Sequence, residues 1–313
     1  MTNTSAEAFA PATMANLGVG FDVLGLAFHE PGDVVRAELT DEPGVTIADI
    51  EGDGGQLTRD PEKNTAGIAA ASTLKRLGVN QGVRLTIRKN LPLASGLGSS
   101  SASAVAAAVA VNALFGDTLS MKELLDPSLD GEAAVSGRHA DNVAPCLFGG
   151  ITLVTGVDAN EIKMLPIPPS LHLALITPNV AVQTAVARAV LPQSIPLKTM
   201  VLQTAYMARL IDAIYRGDLS EMARAMEGDQ VIEPARAHLM PLLYEMRQIA
   251  KSNGAFGLVI SGAGPTLCAI CNDEKIAQRV AQAMQAGYDA AGIESATRCT
   301  GISTSGAHVL RVN

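Results

Sequence analysis

At 313 residues, 48% of them hydrophobic, the chain is long enough for two domains, or one large one, each with its own core. Acidic residues outnumber basic ones by 31 to 23, giving a formal net charge of −8. That argues against a polyanion-coating surface, and so against nucleic acid or an acidic membrane as partner, while leaving room for one local phosphate site.

The opening "MTNTSAEAFAP" has neither the basic nor the apolar region of a secretory leader. The longest apolar run, 102–115, is broken by Ser103 and Asn112 and falls short of the ~20 residues of a membrane span. A soluble, cytoplasmic protein is expected. Next come four segments that read as strands, "AFAPAT", "DVVRAEL", "VRLTIRK" and "GITLVTG". Two helical stretches lie among them, 64–77 behind the polar "DPEKNT", and 99–114. A third helix is expected from about Asp130 to Cys146, stopping near Pro145. The core pattern thins over 155–170, through "GVDANEIK" and "PIPPS", which divides the chain into domains at 1–160 and 161–313.

Beyond that boundary "HLALITP" reads as a strand, followed by helical patterns at 184–190, 197–216, 219–226 and 241–252. "FGLVISGAGPTLCAIC" reads as two apolar strands around a tight Gly/Pro turn, and a helix at 274–291 and the strand "ATRCTG" complete the half. Strand, helix, hairpin, helix, strand is the split βαβ order of a ferredoxin-like domain, here with extra helices. The four cysteines are too scattered for a disulfide scaffold, and no His/Cys cluster has zinc spacing. "CAIC" has redox spacing but sits inside a strand pattern, without the turn and helix start that activate such a thiol, so it reads as strand filling.

The stretch "NLPLASGLGSSSASAVAAAVAVNAL" sets a glycine loop between a strand and an almost purely Ala/Val helix. That order suits a phosphate. Glycines let the backbone approach the anion, unpaired N–H groups point at it, and the helix dipole favours its charge. No Lys follows the glycines as a P-loop requires. Ser101 stands where a dinucleotide fingerprint wants Gly or Ala, and no protein-kinase signature accompanies the loop. A packing helix with a flexible entry loop remains the plainer alternative.

"PLASGLGSSSASA" resembles the second motif of the GHMP kinases, "AFAPATMANLGVGFDVLGLAF" resembles their first, and "VISGAGPTLCAI" their third. Three ordered motifs across almost the whole chain are far more specific than any one of them. Within the family, the first motif, "GRHADNVAP", the Thr184-x-x-x-Arg188-x-x-Leu191-Pro192 pattern and "IEPAR" are similar to the branch that phosphorylates homoserine. Val19 departs from the Pro of many members, which affects loop stiffness more than chemistry. The resemblance implies an α+β, two-domain GHMP kinase fold, with an N-terminal ribosomal-protein-S5-like α/β domain that binds ATP and a C-terminal ferredoxin-like domain with inserted helices. It implies transfer of phosphate from ATP, with Mg²⁺, to L-homoserine, giving O-phospho-L-homoserine and ADP on the way to threonine, in a homodimer.

Carried over residue by residue, the resemblance puts the phosphates on Pro92, Leu93, Ala94, Ser95, Gly96, Leu97, Gly98, Ser99, Ser100, Ser101 and Ala102. Asn64 lies on the adenine side, and Mg²⁺ on Ser100 and Glu132. Homoserine is a zwitterion, needing a cation for its carboxylate and an anion or amide for its ammonium. Arg188 and Arg236 suit the first need and Asp22 and Asn16 the second, with Thr184, His139 and Gly262 beside them. On a continuous helix from Asp130, Glu132 and His139 differ by about 20°, Asn142 lies about 80° round, and Asp141 points the opposite way. Asn142 is therefore the expected partner of the reacting hydroxyl, with Asp141 structural and no strong base. His139 reads as a hydrogen-bonded structural histidine more readily than as a base. Three rival readings are a GHMP kinase for another hydroxy acid, a ligand sensor that binds nucleotide and metabolite without turnover, and a nicotinamide-dependent oxidoreductase.

Overall fold

The computed structural model describes residues 3–313. Its first half runs β1 (Ser5–Ala15), β2 (Leu24–Thr40), β3 (Val45–Glu51), α1 (Thr65–Leu77), β4 (Gly82–Arg88), α2 (Ser99–Leu114), α3 (Leu125–Ala133), α4 (Ala140–Phe148), β5 (Ile151–Val154) and β6 (Ile162–Leu165). The second half runs β7 (His172–Pro178), α5 (Thr184–Ala189), α6 (Leu197–Arg216), α7 (Leu219–Met226), α8 (Ile232–Arg236), α9 (Leu243–Ser252), β8 (Gly257–Ile260), β9 (Leu267–Cys271), α10 (Glu274–Ala290) and β10 (Ser295–Thr300). A last strand, β11 (His308–Val312), returns to the first sheet.

That sheet has seven strands in the order β11-β1-β2-β4-β3, with β5 on β2 and β6 on β5. A cut at 160/161 therefore separates β6 and β11 from their own sheet. The second sheet, β10-β7-β9-β8, is antiparallel throughout. This is the expected split βαβ arrangement, with α5 to α9 filling its first crossover. β7 and β9 bury both faces by simple alternation. Leu173, Leu175, Cys268 and Ile270 join the core of the first half, while Ala174, Ile176, Leu267 and Ala269 pack with α9 and α10. Cys268 and Cys271 are free thiols in this packing, and burial pushes Cys271 up to about 12. They are inert filling, as their setting predicts.

Helix α2 lies at the centre. Every residue from Ser101 to Leu114 is buried, because α1, α3, β1 and β2 all pack on it. A helix surrounded on all sides needs no polar face, and its Ala and Ser positions admit close neighbours at little cost in side-chain entropy.

The expected single helix from Asp130 to Cys146 is in fact two. α3 ends at Ala133, the chain passes through Gly137 at φ +89°, and α4 restarts behind an extended His139. Pro145 does not stop α4, which runs to Phe148. The proline lacks the N–H that would bond to the carbonyl of Asp141 four residues back. That carbonyl instead abuts Gly25, where an added Cβ would lie 1.8 Å from it. β3, β6 and β11 are elements the sequence reading did not foresee.

Candidate active site

The loop between β4 and α2 is shaped by its neighbours. Gly96 and Gly98 have φ of +78° and +66°. A Cβ on Gly96 would lie 2.3 Å from the Ser261 carbonyl, and one on Gly98 would lie 1.9 Å from Thr13 Oγ1. Glycine is required at both positions, for conformation and for room. Two segments far apart in sequence, β1 and the turn between β8 and β9, close on this loop. Thr13 N donates to Leu97 O at 3.0 Å, Thr266 N to Ser95 O at 3.2 Å, and Ser261 Oγ to Gly96 O at 2.8 Å. The N-terminus of α2 has no side-chain cap and no acidic residue in its first turn, which leaves its N–H groups and dipole free for an anion. Ser99 Oγ, buried on the cleft wall, has no hydrogen-bond partner among the described residues.

Beneath the loop, Lys89 and Asp33 form a buried ion pair. Lys89 Nζ also donates to Ser99 O and Ser103 Oγ, each at 2.8 Å. Asp33 accepts from the backbone N–H of Asn90 at 3.1 Å and of Leu91 at 3.3 Å. The pair therefore ties the entry of the loop to the first turn of α2.

A cleft of about 520 Å³ opens above the loop. Glu132 lines it at 4% exposure. Its Oε2 accepts from Ser101 Oγ at 2.8 Å and its Oε1 from Ser136. Burial raises this carboxyl above its ordinary range, opposed by hydrogen bonds from Ser136, Ser100 and Ser101 and by the charge of Lys89. Among the described residues no group of three or more His, Cys, Asp or Glu could hold a metal by itself. One carboxylate with hydroxyls beside a phosphate site is a donor set that suits Mg²⁺, which keeps several waters and takes phosphate oxygens as ligands.

The opposite wall carries charge of both signs. Asp22, at φ +60° in a turn where Asn16 and Leu17 also have positive φ, accepts a two-pronged bond from Arg188, both contacts at 2.9 Å. His139 Nδ1 stands 3.7 Å from Asp22 Oδ2. Arg236 is 2% exposed, and donates from Nε to Ala187 O at 2.9 Å and from Nη1 to Gly262 O at 3.1 Å. Burial, then the charge of Arg188, lowers its pKa to about 10, so it stays a cation at neutral pH. Asn16 Nδ2 donates to the same Gly262 carbonyl at 2.9 Å, which joins the first and third motifs at the cleft wall.

Asn142 also lines the cleft. Its Oδ1 accepts from Thr13 Oγ1 at 2.8 Å, which turns its amide N–H groups away from that contact. The expectation that Asp141 points the opposite way is corrected. Asp141 lines the same cleft at 5% exposure, because the break between α3 and α4 resets the rotation that the angular argument assumed. Burial, with the charges of Asp22 and Glu132, raises its carboxyl to about 7.

Of the predicted loop residues, Leu93, Ala94, Ser95, Gly96, Gly98, Ser99 and Ser100 line the cleft, and Pro92, Leu97, Ser101 and Ala102 do not. The last three are buried in the core, where Ser101 acts through Glu132. Asn16, Asp22, Asn64, Glu132, His139, Asn142, Thr184, Arg188, Arg236 and Gly262 all line it. Asn64 is also the cap of α1, accepting from Ala66 N at 3.0 Å and donating to Thr58 O at 2.9 Å. Sequence reasoning missed Thr13, Phe21, Ser136 and the Lys89–Asp33 pair. Thr13 and Phe21 lie inside the first motif, which was the available signal for them.

Comparison with known proteins places these features in context. The family described as GHMP kinases N terminal domain matches residues 64–150, and GHMP kinases C terminal matches 210–290. The chain is 40% identical over 291 residues to a homoserine kinase of Chlorobium phaeobacteroides strain BS1, covering 90% of this chain and 91% of that one. It is 40% identical over 286 residues to a homoserine kinase of Arabidopsis thaliana, covering 90% and 77% respectively. The crystal structure of a homoserine kinase from Cytophaga hutchinsonii superposes with a TM-score of 0.95 at 41% identity, over 99% of this chain and 98% of that one. A mevalonate kinase of L. major in complex with R-mevalonate shares the fold at a TM-score of 0.72 and 18% identity, over 96% and 98% of the two chains.

Proposed function

Because this chain belongs to the homoserine kinases of the GHMP kinase family, we propose that its cleft moves the terminal phosphoryl group of ATP to the side-chain hydroxyl of L-homoserine, a step in threonine biosynthesis. One observation carries the reading: an uncapped helix N-terminus behind a glycine loop faces two arginines and an aspartate across the same cleft. The ATP phosphates lie on the loop and the first turn of α2, with the adenine toward Asn64, so residues 1–160 carry most of the ATP site while residues 161–313 close the cleft over homoserine. Ser100 and Glu132 would hold Mg²⁺, which would supply neutralisation of the phosphate charge that builds during transfer.

Homoserine enters by ion exchange. Arg188 already holds Asp22. A zwitterion replaces that pair with two matched ones, its carboxylate on Arg188 and Arg236 and its ammonium on Asp22 beside Asn16. His139, Thr184 and Gly262 complete the pocket wall. Asn142, fixed through its carbonyl by Thr13, offers its N–H to the substrate hydroxyl and aims that oxygen at the phosphorus. The new P–O bond forms as the bond to the departing ADP breaks, and the hydroxyl proton passes to an oxygen of the transferred phosphoryl group. Phosphoryl transfer asks for positioning and charge neutralisation more than for covalent help. A homodimer in the cytoplasm completes the proposal, supported by the exposed apolar strip Leu197, Met200, Val201 and Leu202 on α6. Among the described residues no helix is long and apolar enough to cross a membrane.

A coupled ADP-release assay over homoserine, mevalonate and galactose tests the reaction. Turnover with homoserine far above the other two is expected. ATP binding with no turnover on any of them overturns the kinase reading in favour of a sensor.

Asn142 and Asp141 separate in a second experiment. Asn142→Ala is expected to lose about tenfold or more in kcat, and Asp141→Asn to stay within about threefold of the native value at every pH, since general-base catalysis carries about 100-fold or more. If Asp141→Asn instead loses about 100-fold, and the acidic limb of the kcat profile near pH 7 disappears with it, Asp141 is the base. Stability gives an independent reading. The Asp141 carboxyl is raised from 3.8 to about 7, so the folded state favours its protonated form. Its contribution is fully present below pH 3.8 and is lost as pH rises through 7. Asp141→Asn should therefore shrink the fall in Tm between pH 5 and pH 8.

A further inference from the structure

Phe21 lies at the turn that also presents Asp22, and its ring lines the cleft. Both arginine guanidinium groups stand over this one ring, with Arg188 Cζ 5.3 Å and Arg236 Cζ 5.2 Å from its centroid. Two like charges so close repel each other. Protein anions do not settle the matter evenly, because Arg188 has Asp22, whereas Arg236, among the described residues, is hydrogen-bonded only to the carbonyls of Ala187 and Gly262. Arg188 Nε is buried with no partner among the described residues, so none of them holds the fork at that atom. What the two cations share is the ring of Phe21, whose quadrupole attracts a cation placed over it. The turn brings the ring there at the expense of positive φ at Asn16, Leu17 and Asp22, a strained backbone of the kind kept where a side chain must be aimed.

We propose that Phe21 is a positioning residue that sets specificity, a platform that holds the guanidinium groups of Arg188 and Arg236 ready for one carboxylate, so that the site prefers an alcohol bearing an α-carboxylate. The inference rests on the proposed homoserine reading and deepens it. It also explains why a flat aromatic side chain, with no hydrogen-bonding group of its own, occupies the wall of a polar pocket. An aliphatic side chain of similar bulk fills the space but leaves the two cations to separate.

The experiment compares Phe21→Leu and Phe21→Tyr with the native chain. Phe21→Leu is expected to raise KM for homoserine roughly 3- to 30-fold, the reach of one or two cation–π contacts, with KM for ATP within about twofold. Phe21→Tyr, which keeps the ring, should restore homoserine KM to within about threefold. With homoserine amide, whose carboxylate is replaced by a neutral carboxamide, the native chain and Phe21→Leu should bind alike. Direct calorimetric titration of homoserine, without ATP, reads the same ratio independently of turnover, so a native chain that binds homoserine but does not phosphorylate it counts against the proposed reaction and not against the platform. An unchanged homoserine affinity in Phe21→Leu, or an equal loss for homoserine, its amide and ATP, overturns the inference.

Discussion

Glu132→Gln is expected to lower kcat at least ~100-fold, the scale seen when a group that stabilises transition-state charge is removed. Glu132 is the carboxylate that lines the cleft beside the first turn of α2, where Ser100 also faces the opening. A buried carboxylate is costly unless something repays it. Two serine hydroxyls meet the oxygens of Glu132, and on the proposed reading the charge of Mg²⁺ would supply the remainder. Gln keeps the shape and can still accept from Ser101, but it carries no charge for the metal. The effect should therefore fall on turnover, while the Tm in the absence of nucleotide moves little or rises. Steady-state kinetics over a range of Mg²⁺ concentrations checks this. Native turnover at saturating Mg²⁺ removes Glu132 from the metal site.

Arg236→Ala should raise KM for homoserine by about 100-fold, near the upper end of what one charge-assisted hydrogen-bonded contact contributes, ~1.5–3 kcal/mol. Arg188→Ala should raise it only about tenfold. The difference lies in what each cation gives up. Among the described residues Arg236 hydrogen-bonds only to backbone carbonyls, so no protein carboxylate holds its charge away from the substrate. Arg188 must first release Asp22, and removing it also leaves that carboxylate bare for the substrate ammonium. KM for ATP should stay within about twofold in both variants, and Arg→Lys should recover only part, because an ammonium cannot make the paired contact. The double variant should lose less than the sum if both grip one carboxylate. Unchanged homoserine KM in both single variants removes the clamp.

Much of this was legible before any coordinates. The bounds of α2, α6 and α7, the split βαβ succession of elements in the second half and the lining of the cleft by Asp22, Arg188 and Arg236 all follow from local pattern or motif. What failed, failed where a rule was carried past a break in the chain. The angular argument for Asn142 against Asp141 holds only on one continuous helix, and Gly137 ends that continuity. Pro145 was read as a stop because the reading could not see Gly25 waiting for the freed carbonyl. Thr13, Phe21 and Ser136 act through partners 129, 167 and 4 residues away (Asn142, Arg188 and Glu132), and only the last of these distances is one that periodicity describes. The short, largely exposed β11 carries no apolar alternation strong enough to announce it.

That last strand also governs when the molecule can finish. β1 pairs with β2 on one side and with β11 on the other, and Asn313 N donates to Ser5 O at 2.9 Å. β1 thus keeps an open edge until residues 308–313, far along the chain, pair with it. An unpaired edge is a template for pairing with another chain, and contacts of such sequence separation form late because the whole intervening loop must close first. Arrival of β11, rather than completion of the glycine loop or of α2, is the event that closes this edge of the first sheet. A nascent chain arrested short of residue 308 carries a nearly finished nucleotide site on a sheet still able to recruit a stranger.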